Sequence, residues 1–109
     1  MNAQVQAYLE KYPNETIALF SQLRGIVFDS ASATPQEILW AKLPSYYIGD
    51  RFVRLIPFKN HINIEAKAVT NHLDILSGYK VTPKGMLQLY LNQQIPVDAL
   101  NLIFAETLG

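Results

Sequence analysis

The side chains able to do chemistry are few and dispersed. The 109 residues include no cysteine, which removes thiol nucleophiles, zinc–thiolate sites, redox motifs and disulfides together. His61 and His72 are the two histidines. His61, Asn63 and Glu65 alternate along one strand face, and imidazole with carboxylate is a metal-ligating set. However, positions i and i+4 of a strand lie ~14 Å apart, so His61 and Glu65 cannot share one ion. His72 falls on the apolar side of its segment, near Val69 and Leu76, and reads as a hydrogen-bonded packing residue. No metal site is expected. Arg24 falls inside the apolar stripe of a helix, where a charge must pair or snorkel. A structural ion pair with Glu37 or Glu65 is the plain reading, and an anion-binding arginine the functional one. Lys80, Lys84 and Gly85 could bring backbone N–H groups to a phosphate. The Gly78–Gly85 stretch nevertheless lacks the Lys-Ser/Thr of a P-loop, and Gly85-Met86 leads into a strand, so a turn-rich loop is expected. No nucleophile elbow and no local triad occur. The chain does not read as an enzyme and carries no cofactor motif.

The elements that must position these residues follow from periodicity. Residues 2–11 read as a short helix, with Val5, Tyr8, Leu9 and Tyr12 at helical spacing. Pro13 ends it and suits the first turn of the next helix, residues 14–29. There Ile17, Phe20, Leu23, Val27 and Phe28 form the apolar stripe. From Glu37 the period changes to two. Strands are predicted over 37–43, 45–48, 51–58 and 61–65, with Pro44 breaking or bending the first pair. Gly49-Asp50 and Lys59-Asn60 supply tight turns. Connections this short require antiparallel neighbours. Residues 67–77 return to helical spacing through Val69, Leu73 and Leu76, and Gly78 suits a left-handed cap. A loop over 79–85, a strand over 86–91 and a last helix opened by Pro96 complete the order α-α-β-β-β-β-α-β-α. The last helix carries Asp98 in its first turn and an apolar stripe of Val97, Leu100, Ile103, Phe104 and Leu108. The class is α+β, with an antiparallel sheet of about five strands and helices packed on one face, in a single domain over 1–109.

Alternation divides the sheet into unlike faces. Leu39, Ala41, Leu43, Val53, Leu55, Ile62, Ile64, Leu87, Leu89 and Leu91 fall on one face, which must meet the helices. The other collects Trp40, Lys42, Phe52, Arg54, Ile56, Phe58, His61, Asn63, Glu65, Met86, Gln88 and Tyr90. Aromatic bodies mixed with a few polar groups suit a pocket lining or a partner surface. An ordinary solvated sheet face is the plain alternative. Trp40, Lys42, Arg54, His61 and Tyr90 are the candidate ligand-binding residues, with Tyr46 at the rim. In this arrangement the rings supply contact area, Lys42 and Arg54 hold an anionic or polar group, and His61 orients it.

Composition bounds the partners. Nine Lys and Arg balance nine Asp and Glu, and half the residues are hydrophobic. A disordered chain is excluded. Neutrality argues against nucleic acid and against an anionic membrane surface. No apolar run approaches the ~20 residues of a membrane span, and the first residues show no basic start or apolar core of a signal peptide. A cytoplasmic binding domain is expected, its partner a small molecule or a protein. A homodimer through the aromatic face is equally permitted.

Several motifs together resemble a known family. They are Lys42-Leu43-Pro44-Ser45-Tyr46, Pro57-Phe58-Lys59-Asn60-His61-Ile62, Leu76-Ser77-Gly78-Tyr79-Lys80 with Lys84-Gly85, and Ile95-Pro96-Val97 leading into a last helix. In order and spacing they resemble the YdhG-like family. The resemblance implies a small bacterial cytoplasmic α+β domain of largely unknown function. Some members are described as frataxin-like iron chaperones, so the resemblance also implies an iron role as an alternative. The acidic residues here, Glu10, Glu15, Asp29, Glu37, Asp50, Glu65, Asp74, Asp98 and Glu106, are scattered and form no ridge on one helix.

Overall fold

In a computed structural model covering residues 1–109, four antiparallel strands follow one another directly. They are β1 (Gln36–Trp40), β2 (Leu43–Ile48), β3 (Arg51–Pro57) and β4 (His61–Ala66). Two more strands, β5 (Lys80–Val81) and β6 (Leu87–Tyr90), complete a six-stranded sheet in the order β1-β2-β3-β4-β6-β5. Every pairing is antiparallel. Three helices, α1 (Ala3–Leu9), α2 (Asn14–Ser30) and α3 (Val97–Leu108), make the fold α+β, as the periodicity indicates. The sheet has six strands rather than five because Lys80-Val81 pairs with Gln88 and Leu87. Two residues are too few to show alternation, so the sequence reads this segment as loop.

The first two strands turn where the sequence carries no turn signal. Residues 37–43 do not form one strand: the chain reverses at Ala41-Lys42, and Trp40 pairs with Leu43. Both turn residues have positive φ, 50° and 66°, the conformation that a two-residue hairpin demands and that Asn-Gly normally supplies. Pro44 therefore lies within β2 and breaks nothing. It faces Leu39, and the pairing of β2 with β3 ends one residue away at Ser45 and Arg54, so its missing N–H is not needed. The reversal also moves Leu43 to the face of Trp40, away from the helices, and leaves Ala41 in the turn on neither face.

The helix-facing side holds one cluster of 22 buried residues. Val53, Leu55, Ile62, Ile64, Leu87 and Leu89 are fully buried there, beneath Phe20, Leu23 and Val27 of α2 and Leu100, Ile103, Phe104 and Leu108 of α3. Val97, placed in the last helical stripe by its spacing, is exposed. Residues 67–77 form two 3₁₀ turns, Lys67–Asn71 and Leu73–Leu76, rather than one α-helix. Val69 and Leu76 are buried, but Leu73 is exposed. Gly78 follows with φ +89°, the left-handed position its sequence context suggests. His72 hydrogen-bonds Glu106 of α3, as expected of a packing histidine.

Arg24 pairs with Glu37, whose side chain is almost fully buried, at 2.6 Å. The Tyr46 hydroxyl donates to the same carboxylate at 2.8 Å, and the Asn2 backbone N–H donates to it at 2.6 Å. Asn2 also caps α1 through its side chain and donates to the Glu37 carbonyl at 3.3 Å. Burial alone would raise the Glu37 pKa, but these donors outweigh it and hold the carboxyl below its usual range. Burial and the Glu37 partner push the Tyr46 hydroxyl far up, so it stays a donor. One carboxylate thus ties the N-terminus, α2, β1 and β2 together.

Candidate functional site

No helix covers the second face of the sheet. Register places Trp40 of β1, Leu43, Ser45 and Tyr47 of β2, Phe52, Arg54 and Ile56 of β3, His61, Asn63 and Glu65 of β4, and Gln88 and Tyr90 of β6 on it. Strand alternation, with every other residue committed to the core, produces this arrangement.

Arg54 organises one half of the face. Its residue exposure is only 6% although no helix lies above it. Its guanidinium carbon lies 4.2 Å from the centre of the Trp40 ring and 3.8 Å from that of Phe52. Its Nε donates to Ser45 Oγ at 3.1 Å, Nη2 to the Tyr47 hydroxyl at 2.8 Å, and Nη1 to Glu65 Oε1 at 3.3 Å. Tyr47 and Phe52 rest on each other with ring centres 5.5 Å apart. A planar guanidinium suits both the stacking and the forked donation. The cation is spent on its own neighbours, so Arg54 is a scaffold for the rings and not an anion hook.

Phe58, His61 and Tyr90 organise the other half as a ladder. Their ring centres are 4.6 and 4.8 Å apart, with interplanar angles of 6° and 27°. His61 Nδ1 is 2.8 Å from Asn60 Oδ1. Burial, and secondarily the Lys80 charge, lowers the His61 pKa, so the ring is neutral near pH 7. Between the two halves lies Asn63, whose Oδ1 is the one buried side-chain polar atom without a hydrogen-bond partner. Trp40 and Phe58 remain 50% and 42% exposed, so each half presents one large ring to solvent.

Of the six candidates, Trp40, Arg54, His61 and Tyr90 share this face. Tyr46 does not: it pairs with Val53 on the helix side, is fully buried and packs edge-on against Phe28 at 5.8 Å. The hairpin at Ala41-Lys42 shifts the alternation by which its direction would be read. Lys42 lies in that hairpin, exposed at the end of the face rather than on it. Tyr47 and Ser45 escape sequence reading for the same reason, since their place beside Arg54 depends on the β2–β3 register.

Charge is segregated although the chain is neutral. Residues 36–66 and 77–96, the strands and their connections, carry Lys42, Arg51, Arg54, Lys59, Lys80 and Lys84 against Glu37, Asp50 and Glu65, a surplus of three positive charges. The helical and 3₁₀ segments carry the matching negative excess. Glu37 and Arg51 are turned to the helix side and Glu65 is paired with Arg54, so Lys42, Lys59, Lys80 and Lys84 make the open face and its margins positive.

No three His, Asp or Glu side chains come together in a set able to hold a metal ion. No helix is long and apolar enough to cross a membrane. A second apolar patch, Leu73, Ile75, Val97 and Leu102, is exposed on the helix side. Ile75, Val97 and Leu102 also line a shallow groove there with Tyr79 and Ile95. No protein-family model, curated protein or solved structure matches the chain.

Proposed function

We propose that this is a protein-binding domain that engages an acidic, partly apolar segment of its partner on the open sheet face. The observation that carries this reading is Trp40: a half-exposed ring with the guanidinium of a nearly buried arginine 4.2 Å over its centre, on an otherwise uncovered face. Holding the ring this way lowers the entropy cost of contact, and rigid aromatic anchors are what interface hot spots use. Trp40, Arg54, Phe58, His61 and Tyr90 line neither main cleft, and only Phe52 and Glu65 border one, at the end of the sheet, which favours a macromolecular partner over a small molecule, since small-molecule sites are concave. Its positive margins favour acidic partners. The resemblance to the YdhG-like family and a cytoplasmic location belong to the same proposal. The iron-chaperone alternative has no clustered ligand set in its support.

Selection from a random phage-displayed peptide library tests the reading. Acidic residues flanking an aromatic or aliphatic residue are the expected enrichment, with binding lost in Trp40→Ala and Phe58→Ala and retained in Leu102→Asn. Selected peptides that bind Trp40→Ala as well as the parent protein, self-association of the chain through this face, or displacement of the peptides by oligouridylate would each overturn it.

A further inference from the structure

A cleft of about 690 Å³ opens at the end of the sheet where β3 begins and β4 ends. Four parts of the chain converge on it: Asp50 of the β2–β3 turn with Arg51 at the start of β3, Lys67 and Thr70 from the first 3₁₀ turn, Lys84 and Gly85 from the β5–β6 loop, and Thr107 from α3. Its volume falls in the range of small-molecule sites.

The cleft carries unspent positive charge. Arg51, Lys67 and Lys84 line it, and none of them takes part in a salt bridge, although Arg51 Nη1 donates to the Leu108 carbonyl at 3.4 Å. Asp50 and Glu65 line it too, but the Glu65 carboxylate is committed to Arg54. Three cations therefore face one uncommitted carboxylate, a surplus of two. A phosphate monoester carries about −1.5 to −2 at neutral pH and matches that surplus, where a single carboxylate would leave half of it. The Arg51 nitrogens other than Nη1, which the Leu108 carbonyl takes, suit phosphate oxygens, and Lys67 and Lys84 serve as point charges.

The walls are already fixed. Thr107 is nearly buried and its Oγ1 accepts the Ala68 N–H at 3.1 Å, which leaves its hydroxyl proton to donate elsewhere. The loop that carries Lys84 is closed by Thr82, whose carbonyl accepts the Gly85 N–H at 2.9 Å and whose Oγ1 accepts the Met86 N–H at 3.1 Å. Gly85 has φ +88°, and a Cβ there would lie 3.1 Å from Thr70 Cγ2. Conformation and close approach both require glycine, so the loop is drawn against the 3₁₀ turn and Lys84 is held at the cleft.

We propose that this cleft binds a phosphate-monoester group. The cleft borders the open face at Phe52 and Glu65, but the phosphate proposal does not rest on the protein-binding reading, and either can fail alone. Inorganic phosphate, glycerol 2-phosphate and a phosphoserine peptide are titrated separately at constant ionic strength into ¹⁵N-labelled protein. Saturable shifts are expected at the amides of Arg51, Lys67, Lys84 and Gly85. Arg51→Gln and Lys84→Gln should each weaken binding roughly tenfold, the order of one charge-assisted hydrogen bond, while Lys42→Gln should leave it unchanged. Both substituted side chains are exposed, and an unaltered amide spectrum elsewhere verifies that the variants fold. Tighter binding of the free ester assigns the phosphate to a metabolite, and tighter binding of the peptide assigns it to a phosphorylated protein. Shifts that stay linear in concentration, that appear equally around Lys42, or that survive both substitutions would overturn the proposal.

Discussion

Arg54→Ala should cost far more than an ordinary change on an uncovered sheet face. Arg54 is 6% exposed and its guanidinium makes three hydrogen bonds. The Glu65 partner is a third exposed and can be rehydrated, so that ion pair contributes only ~0–1 kcal/mol. The Ser45 and Tyr47 bonds contribute about 1–1.5 kcal/mol each. Stacking between Trp40 and Phe52 adds about 1 kcal/mol per ring. The loss is offset in part because Ser45 keeps its own acceptor, the Leu43 carbonyl at 3.0 Å. A destabilisation of about 3–4 kcal/mol is expected on these terms. Arg54→Met, which keeps most of the stem's packing but no donors, should lose about half as much. Urea unfolding followed in parallel by far-ultraviolet dichroism and Trp40 emission measures both variants. Trp40 is the only tryptophan, so its emission should also change in the folded baseline when the cation over its ring is removed. A loss under ~0.5 kcal/mol, the scale of a neutral surface change, with an unchanged folded emission would refute the scaffold role of Arg54.

Two further outcomes follow from the same contacts. The folded Glu37 carboxyl titrates below its unfolded counterpart, so its stabilisation is complete above the unfolded pKa and is lost as pH falls through the folded one. Glu37→Gln should therefore flatten the acid side of a melting-temperature profile, and parallel acid limbs for parent and variant would contradict the linkage. The Ala41-Lys42 hairpin holds two non-glycine residues at positive φ, so the double substitution A41N/K42G should raise stability by about 1 kcal/mol. Destabilisation on chemical denaturation would show that the turn is held by side-chain contacts rather than strained.

The sequence is most readable where a regular period is long. Val53, Leu55, Ile62 and Ile64 alternate without interruption, and all are buried as their spacing requires. Arg24 is readable because a lone charge within an apolar stripe must find a partner, and Glu37 is that partner. Reading fails where local residue types disagree with what tertiary contacts impose. Ala41-Lys42 has no turn chemistry, yet β1 and β2 are closed by the Glu37–Tyr46 bond across the pair and by Trp40 stacking on Arg54. The parity of everything between Ala41 and Ile48 changes as a result, which misplaces Leu43 and Tyr46 and hides Tyr47. Residues 67–77 show helical spacing, but 3₁₀ turns carry Val69 and Leu76 inward with a different rotation per residue. The phosphate cleft is only partly legible in the sequence: Lys84 and Gly85 suggest a phosphate loop that the motif then fails to support, and Arg51 and Lys67 join them only through the order of the strands.

The open face is tested most directly by the accessibility of Trp40. Acrylamide quenching of its emission should be strong in the free protein, where the ring is 50% exposed. A selected acidic peptide at saturation should lower the quenching constant several-fold and shift the emission to the blue. Peptide binding detected by calorimetry with unchanged quenching would place the partner elsewhere on the molecule.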